Sequence, residues 1–167
     1  MTTSHVVVDS PVGPLRLVTD GEHLTGVYFA EHKHAPTELG AHVEVKDAVP
    51  VLRATLEQLT DYFAGGRTGF DLPLAATGTD FQRQVWDLLT TIPYGQTWSY
   101  GQLAAALGRP SASRAVGMAN GRNPISIVVP CHRVVGSTGA ITGYGGGVER
   151  KQALLDLERR TSQTALF

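Results

Sequence analysis

Ile125-Ser126-Ile127-Val128-Val129-Pro130-Cys131-His132-Arg133 is the stretch around which the rest of the chain is ordered. Its apolar, β-branched run, Ile125 to Val129, reads as a short buried strand, and Pro130 turns the chain out of it. Cys131 follows at once. It is the single cysteine in 167 residues, so it can form no internal disulfide and build no cysteine-rich zinc site. Two readings stay open: a buried, inert thiol, as free cysteines commonly are, or a nucleophile. His132 and Arg133 favour the second, because positive charge lowers a thiol pKa and the thiolate is the reactive form.

Upstream of this stretch the pattern is helical. Thr79 or Asp80 caps a helix whose apolar face is Phe81, Val85, Leu88, Leu89 and Ile92, stopped by Pro93-Tyr94-Gly95. Ser99 caps a short helix bearing Leu103, Ala104 and Leu107, ended by Gly108. After Arg109-Pro110, Ser111 or Ser113 opens another through Ala115, Val116 and Ala119, stopping near Asn120-Gly121. Two short helices across a Gly-Arg-Pro turn have the shape of a helix-turn-helix, which many helical domains share.

Downstream, six of the twelve residues from Gly136 to Gly147 are glycine, interrupted by Tyr144. The loop lacks the ending of a phosphate-binding loop and the dinucleotide fingerprint. It is either a plain connection or a place where backbone comes close to a ligand. The last helix, from about Val148 to Arg160, puts Leu154, Leu155 and Glu158 on one face. A carboxylate aimed at the core needs a partner, and either His132 or a surface arginine can supply it. His132 and Cys131 are adjacent, so on an extended backbone they diverge, and contact needs a bridging water or a turn.

The first 77 residues read differently. His5 to Val8, Leu15 to Val18 and Leu24 to Phe29 alternate as three short strands, with turns at Pro11-Val12-Gly13-Pro14 and Asp20-Gly21. Val49, Leu52, Leu56, Leu59 and Phe63 recur at helical spacing, with Pro50 in the first turn and Gly65-Gly66 at the end. The chain is therefore expected to be α+β. Residues 1–77 form a small antiparallel sheet plus helix ending in a linker at 66–78. Residues 78–167 form a helical domain with its cysteine after a short strand.

Charged residues make up 17% and hydrophobic ones 42%, which places the chain among globular proteins rather than disordered ones. No apolar stretch reaches the roughly 20 residues of a membrane span, and the lone thiol suits a reducing, cytoplasmic setting. The formal net charge of −1 hides an asymmetry: no Asp or Glu occurs between Asp87 and Glu149, where Arg109, Arg114, Arg122 and Arg133 lie. Such a surface suits a polyanion, because each cationic contact to phosphate releases counterions, or it is an ordinary basic face.

Pro130-Cys131-His132-Arg133-Val134, with Ser99-Tyr100, Arg114-Ala115-Val116-Gly117, Asn123-Pro124 and Thr142-Gly143-Tyr144-Gly145-Gly146-Gly147, resembles the motif set of the O6-alkylguanine-DNA alkyltransferases. The resemblance is ordered from about Thr79 to Glu158 and looser before, where it implies a ribonuclease H-like domain. It implies direct-reversal repair: Cys131 takes an alkyl group from guanine O6 in duplex DNA, O4 of thymine being left open, and each molecule acts once. His132 would deprotonate the thiol through a water, with Glu158 holding the imidazole. Tyr100 would bond guanine N3, Asn123 would brace the turn before the cysteine, and Tyr144 would line the substrate pocket. The carbonyl of Val134 and the N–H of Gly145 would meet the exocyclic amine and O6.

The same resemblance makes Arg114 the arginine that fills the gap left by a flipped base. Ser113, Ala115, Gly117, Asn120 and Arg122 would belong to a helix entering the minor groove, with small residues at Ala115, Gly117 and Ala119 allowing the approach. No cofactor is implied. Some members carry a zinc on cysteine and histidine, but His32, His34 and His42 have no cysteine near them, so no metal is expected. A monomer is expected, with assembly of several copies along DNA left open. The competing readings are a cysteine hydrolase built on Cys131, His132 and Glu158, a non-catalytic binder of damaged DNA, and a plain helix-turn-helix regulator.

Overall fold

In the computed structural model, which describes residues 2–164, three strands follow one another as the alternating pattern requires. They are β1 (Ser4–Val8), β2 (Leu15–Thr19) and β3 (Leu24–Phe29). They pair antiparallel, but the sheet order is β3-β2-β1-β4, and β4 (Ala41–His42) runs parallel to β1, so the sheet is mixed rather than antiparallel. Two residues are too few to carry an alternation, which is why β4 left no sequence signal. Helix α1 (Pro50–Phe63) starts with its proline in the first turn, where a missing N–H costs nothing. It buries Val51, Leu52, Thr55, Leu59 and Tyr62.

The second half supplies α2 (Asp80–Leu89), β5 (Trp98–Ser99), α3 (Tyr100–Ala106), α4 (Ser113–Gly121), β6 (Val134–Val135) and α5 (Val148–Thr164). Thr79 and Ser99 each cap their helix reciprocally with a glutamine three residues on. Neither Ser111 nor Ser113 caps α4: Ala112 holds that place and gives no side-chain hydrogen bond. Among the described residues no helix is long and apolar enough to cross a membrane.

One apolar core runs through both halves, from Leu17, Phe29, Leu52 and Tyr62 to Val85, Leu103, Ile125 and Leu154. Strand β3 joins them. Leu24 N–H donates to Pro73 O at 2.8 Å and its carbonyl accepts from Ala75 N–H at 3.0 Å, so residues 73–75 of the expected linker are held against the sheet. Three residues along, Val27 N–H donates to Pro124 O at 2.9 Å and its carbonyl accepts from Ser126 N–H.

Ile125 to Val129 is not a strand. Ile125 makes one isolated bridge to Val27, and the chain then coils: Val128 N–H donates to Ser126 O and Val129 N–H to Ile125 O. Ile127 sits at φ +71, a conformation that β-branched residues adopt only when their surroundings impose it. All five residues are buried, which explains the misreading: an apolar run reports burial, and a coil in the core reads like a strand there. Cys131–Arg133 then forms a single 3-10 turn.

Because Ser99 Oγ accepts from Gln102 N–H at 3.0 Å while Gln102 Oε1 accepts from Ser99 N–H at 2.8 Å, Ser99→Ala should lower the unfolding free energy by about 1 kcal/mol. Chemical denaturation checks it; an unchanged midpoint would remove the cap from the start of α3.

Candidate active site around Cys131

Asn123 organises the turn that carries the thiol. Its Oδ1 accepts from Ile125 N–H at 3.0 Å, and its Nδ2 donates to Val129 O at 2.9 Å and lies 3.1 Å from Cys131 Sγ. One amide side chain thus takes over the hydrogen bonds that a strand partner would have made, and it delivers Cys131 into the core, 4% exposed. Asn120 adds a long bond, Nδ2 to Cys131 O at 3.4 Å.

Glu158 is the electrostatic centre. Its carboxylate, 1% exposed, accepts from His132 Nε2 at 2.6 Å and Tyr62 Oη at 2.6 Å on Oε2, and from Arg133 Nε at 2.7 Å on Oε1. Burial alone would raise this carboxyl, but the His132 and Arg133 partners override it and hold it at about 2. Burial pushes His132 below its ordinary value despite the carboxylate, so the ring is neutral. An ionised Glu158 can only accept, which assigns the imidazole proton to Nε2 and leaves Nδ1 as the basic nitrogen. That nitrogen is buried and has no hydrogen-bond partner among the described residues.

Burial likewise pushes the Cys131 thiol up, with Asn123 and Lys151 pulling the other way. The expectation that His132 and Arg133 would lower it fails for a physical reason: the histidine is neutral and Glu158 takes up the arginine's charge. Both partners envisaged for Glu158 are present, but the arginine is buried Arg133, not a surface one. Arg133 also donates to Ile92 O at 2.7 Å, so it drops out of the basic face, leaving Arg109, Arg114 and Arg122 exposed.

A cleft of about 830 Å³ is lined by Tyr100, Arg114, Gly117, Tyr144 and Gly145 among others, and Tyr144 stands between it and the thiol. Tyr100 Oη donates to Thr142 O at 3.3 Å. Tyr144 packs edge-on to Phe29, and its buried hydroxyl faces Ser126 and Cys131. A Cβ at Gly145 would come within 2.6 Å of His32 Nε2, so a side chain there requires the His32 ring to shift. Val134 is buried and pairs with Trp98 across β5 and β6.

On α4 the outward residues are Arg114, Ala115, Met118 and Gly121, with Ser113 and Gly117 half-buried. Asn120 and Ala119 do not join that face. Asn120 is 3% exposed and turned to the cysteine turn, while the Ala119 carbonyl accepts from Trp86 Nε1 at 2.8 Å. The helical repeat puts both on the same inward stripe as Val116.

Three features went unread in the sequence. Lys151 is fully buried, its Nζ donating to Thr142 O at 2.8 Å and lying 6.0 Å from the Tyr100 ring centre; burial lowers it to about 8. It stands one turn before Leu154 and Leu155 on the stripe that located Glu158, so the same argument finds it. Tyr62 stands one turn after Leu59 on the inward face of α1. Lys33 and His34 reach the cleft from the loop after β3, Lys33 N–H donating to Gly145 O at 2.8 Å. His32 stacks on Phe29 and His42 on His5.

Two family models match the chain: the 6-O-methylguanine DNA methyltransferase ribonuclease-like domain at residues 5–76, and the DNA binding domain of the same proteins at residues 80–160. The methylated-DNA–protein-cysteine methyltransferase of Mycobacterium tuberculosis is 50% identical over 152 residues, covering 91% of this chain and 90% of its own. The protein of the same name from Methanosarcina acetivorans is 46% identical, covering 92% and 97%. The crystal structure of the M. tuberculosis OGT in complex with DNA superposes with a TM-score of 0.87 at 47% identity, covering 95% of this chain and 94% of that one. This chain belongs to the 6-O-methylguanine DNA methyltransferase family.

Proposed function

We propose that Cys131 is the acceptor of a direct-reversal repair reaction on methylated DNA. The protein is a methylated-DNA–protein-cysteine methyltransferase: it moves a methyl group from DNA to its own thiol. The observation that carries the assignment is the 2.6 Å bond from His132 Nε2 to a fully ionised Glu158, next to the chain's single cysteine. Nδ1 takes the thiol proton by way of a solvent molecule. The thiolate attacks the methyl carbon in line, an S–C bond forms as the C–O6 bond breaks, and the electron pair leaves on the guanine. The product is a thioether, so each molecule acts once, and the reaction balances without a cofactor.

Tyr100 releases Thr142 O and donates to guanine N3, where charge develops on the leaving base. The Val134 carbonyl accepts from the exocyclic amine, the Gly145 N–H meets O6, and Tyr144 walls the pocket. Arg114 fills the duplex gap once the base is flipped out, being planar, always charged and able to stack. Ser113, Ala115, Gly117 and Arg122 meet the minor groove, with Met118 at the tip. Residues 1–77 and 78–167 are the two domains, the protein acts as a monomer on duplex DNA, and the cytoplasm keeps its thiol reduced.

Cys131→Ala is expected to abolish transfer while DNA affinity stays within a factor of about two, since the thiol lies beneath the surface that meets DNA. Residual transfer measured with a radiolabelled duplex would sink the acceptor assignment. Arg114→Ala should slow repair in duplex DNA by roughly tenfold or more, because flipping costs a few kcal/mol, while leaving reaction with free O6-methylguanine base unchanged. Equal loss on both substrates would argue against a role in flipping.

A further inference from the structure

The alkyl-transfer reading uses groups from the second half of the chain only. Yet one of the three groups on the buried carboxylate comes from α1. Tyr62 is wholly buried, and its ring is wedged between Phe63, Phe70 and Tyr94, with centroids 5.2, 5.5 and 6.2 Å away. Its hydroxyl donates to Glu158 Oε2 at 2.6 Å, the same oxygen and the same distance as His132 Nε2. Arg133 Nη2 lies 3.2 Å from that atom as well.

We propose that Tyr62 is a positioning residue of the transfer site: by donating to Glu158 Oε2 it sets the direction of the Glu158–His132 bond and keeps His132 Nδ1 free to take the thiol proton. This rests on the relay reading above. Burial and the adjacent carboxylate hold the phenol protonated, so it is always the donor. A carboxylate that accepts from a phenol, a guanidinium and an imidazole has no call for a proton of its own, and the imidazole must supply the hydrogen on Nε2. The phenol also draws negative charge from Oε2. It thereby limits how tightly His132 holds a second proton once Nδ1 has taken one.

Two of the other groups facing this relay act in the same direction, without donating from α1 to Oε2. Lys151, on α5, and Arg133 both oppose a positive charge on His132. Tyr144, from the glycine-rich loop, faces Cys131 and Glu158, and Tyr94 faces Tyr62. Among the described residues, Tyr62 is the group from the first half of the chain that hydrogen-bonds Glu158.

The test follows single-turnover transfer from a duplex containing one O6-methylguanine, across the range in which histidine titrates. Tyr62→Phe keeps the ring and removes the hydroxyl. It should move the acidic limb of the rate profile up by about one pH unit, with DNA affinity unchanged. Adding it to Glu158→Gln should produce no further movement. Replacing Tyr62 with 3-fluorotyrosine strengthens the donor and should move the limb to lower pH; this also covers the case in which Tyr62→Phe does not fold. If both substitutions give profiles superimposable on the parent, whatever happens to melting temperature, Tyr62 only packs and the proposal is overturned. A Glu158→Gln profile that matches the parent would instead remove the relay itself.

Discussion

A buried carboxylate that cannot be left unpaired governs this molecule. An ionised group 1% exposed would be intolerable in the core without donors, and Glu158 collects them from Tyr62 on α1 and from His132 and Arg133 in the cysteine turn. The donors come from two segments far apart in the chain, so satisfying one charge fixes the mutual positions of α1, α5 and the turn. The same condition makes His132 neutral with a defined tautomer. Fold and chemistry are thus constrained by one set of hydrogen bonds.

The thiol is held in a complementary way. Left to its surroundings Cys131 is a protonated, shielded sulfur, since burial outweighs the pull of Asn123 and Lys151. A resting thiolate would be open to oxidation and stray alkylation, whereas a neutral thiol beside a neutral base reacts only when its proton can move to that base. This separates the protein from a thiol activated by a permanent cation. It also explains why Arg133, two residues after the cysteine, is not among the main groups that lower its pKa.

Much of this was legible in the residues because the signals were periodic or capped. The three strands, α1 and the helices after Thr79 and Ser99 follow from alternation, helical spacing and cap chemistry, and Glu158 was found inward because it shares a stripe with Leu154 and Leu155. The failures have a common cause. Ile125 to Val129 is apolar because it is buried, not because it is extended, and the side chain of Asn123 replaces the strand partner. Asn120 was assigned to the groove face although its helical phase matches Val116. Tyr62 escaped because its partner lies 96 residues away, and no local pattern records such a contact.

The central claim is that one thiol accepts one alkyl group. Intact mass after mixing the protein with a duplex carrying a single O6-methylguanine, followed by peptide mapping, tests it most directly. The account predicts a gain of one methylene unit on Cys131, stopping at one per protein chain, with guanine restored in the DNA. An unchanged mass in the presence of tight binding would contradict it and make the protein a recogniser of damage rather than its repairer.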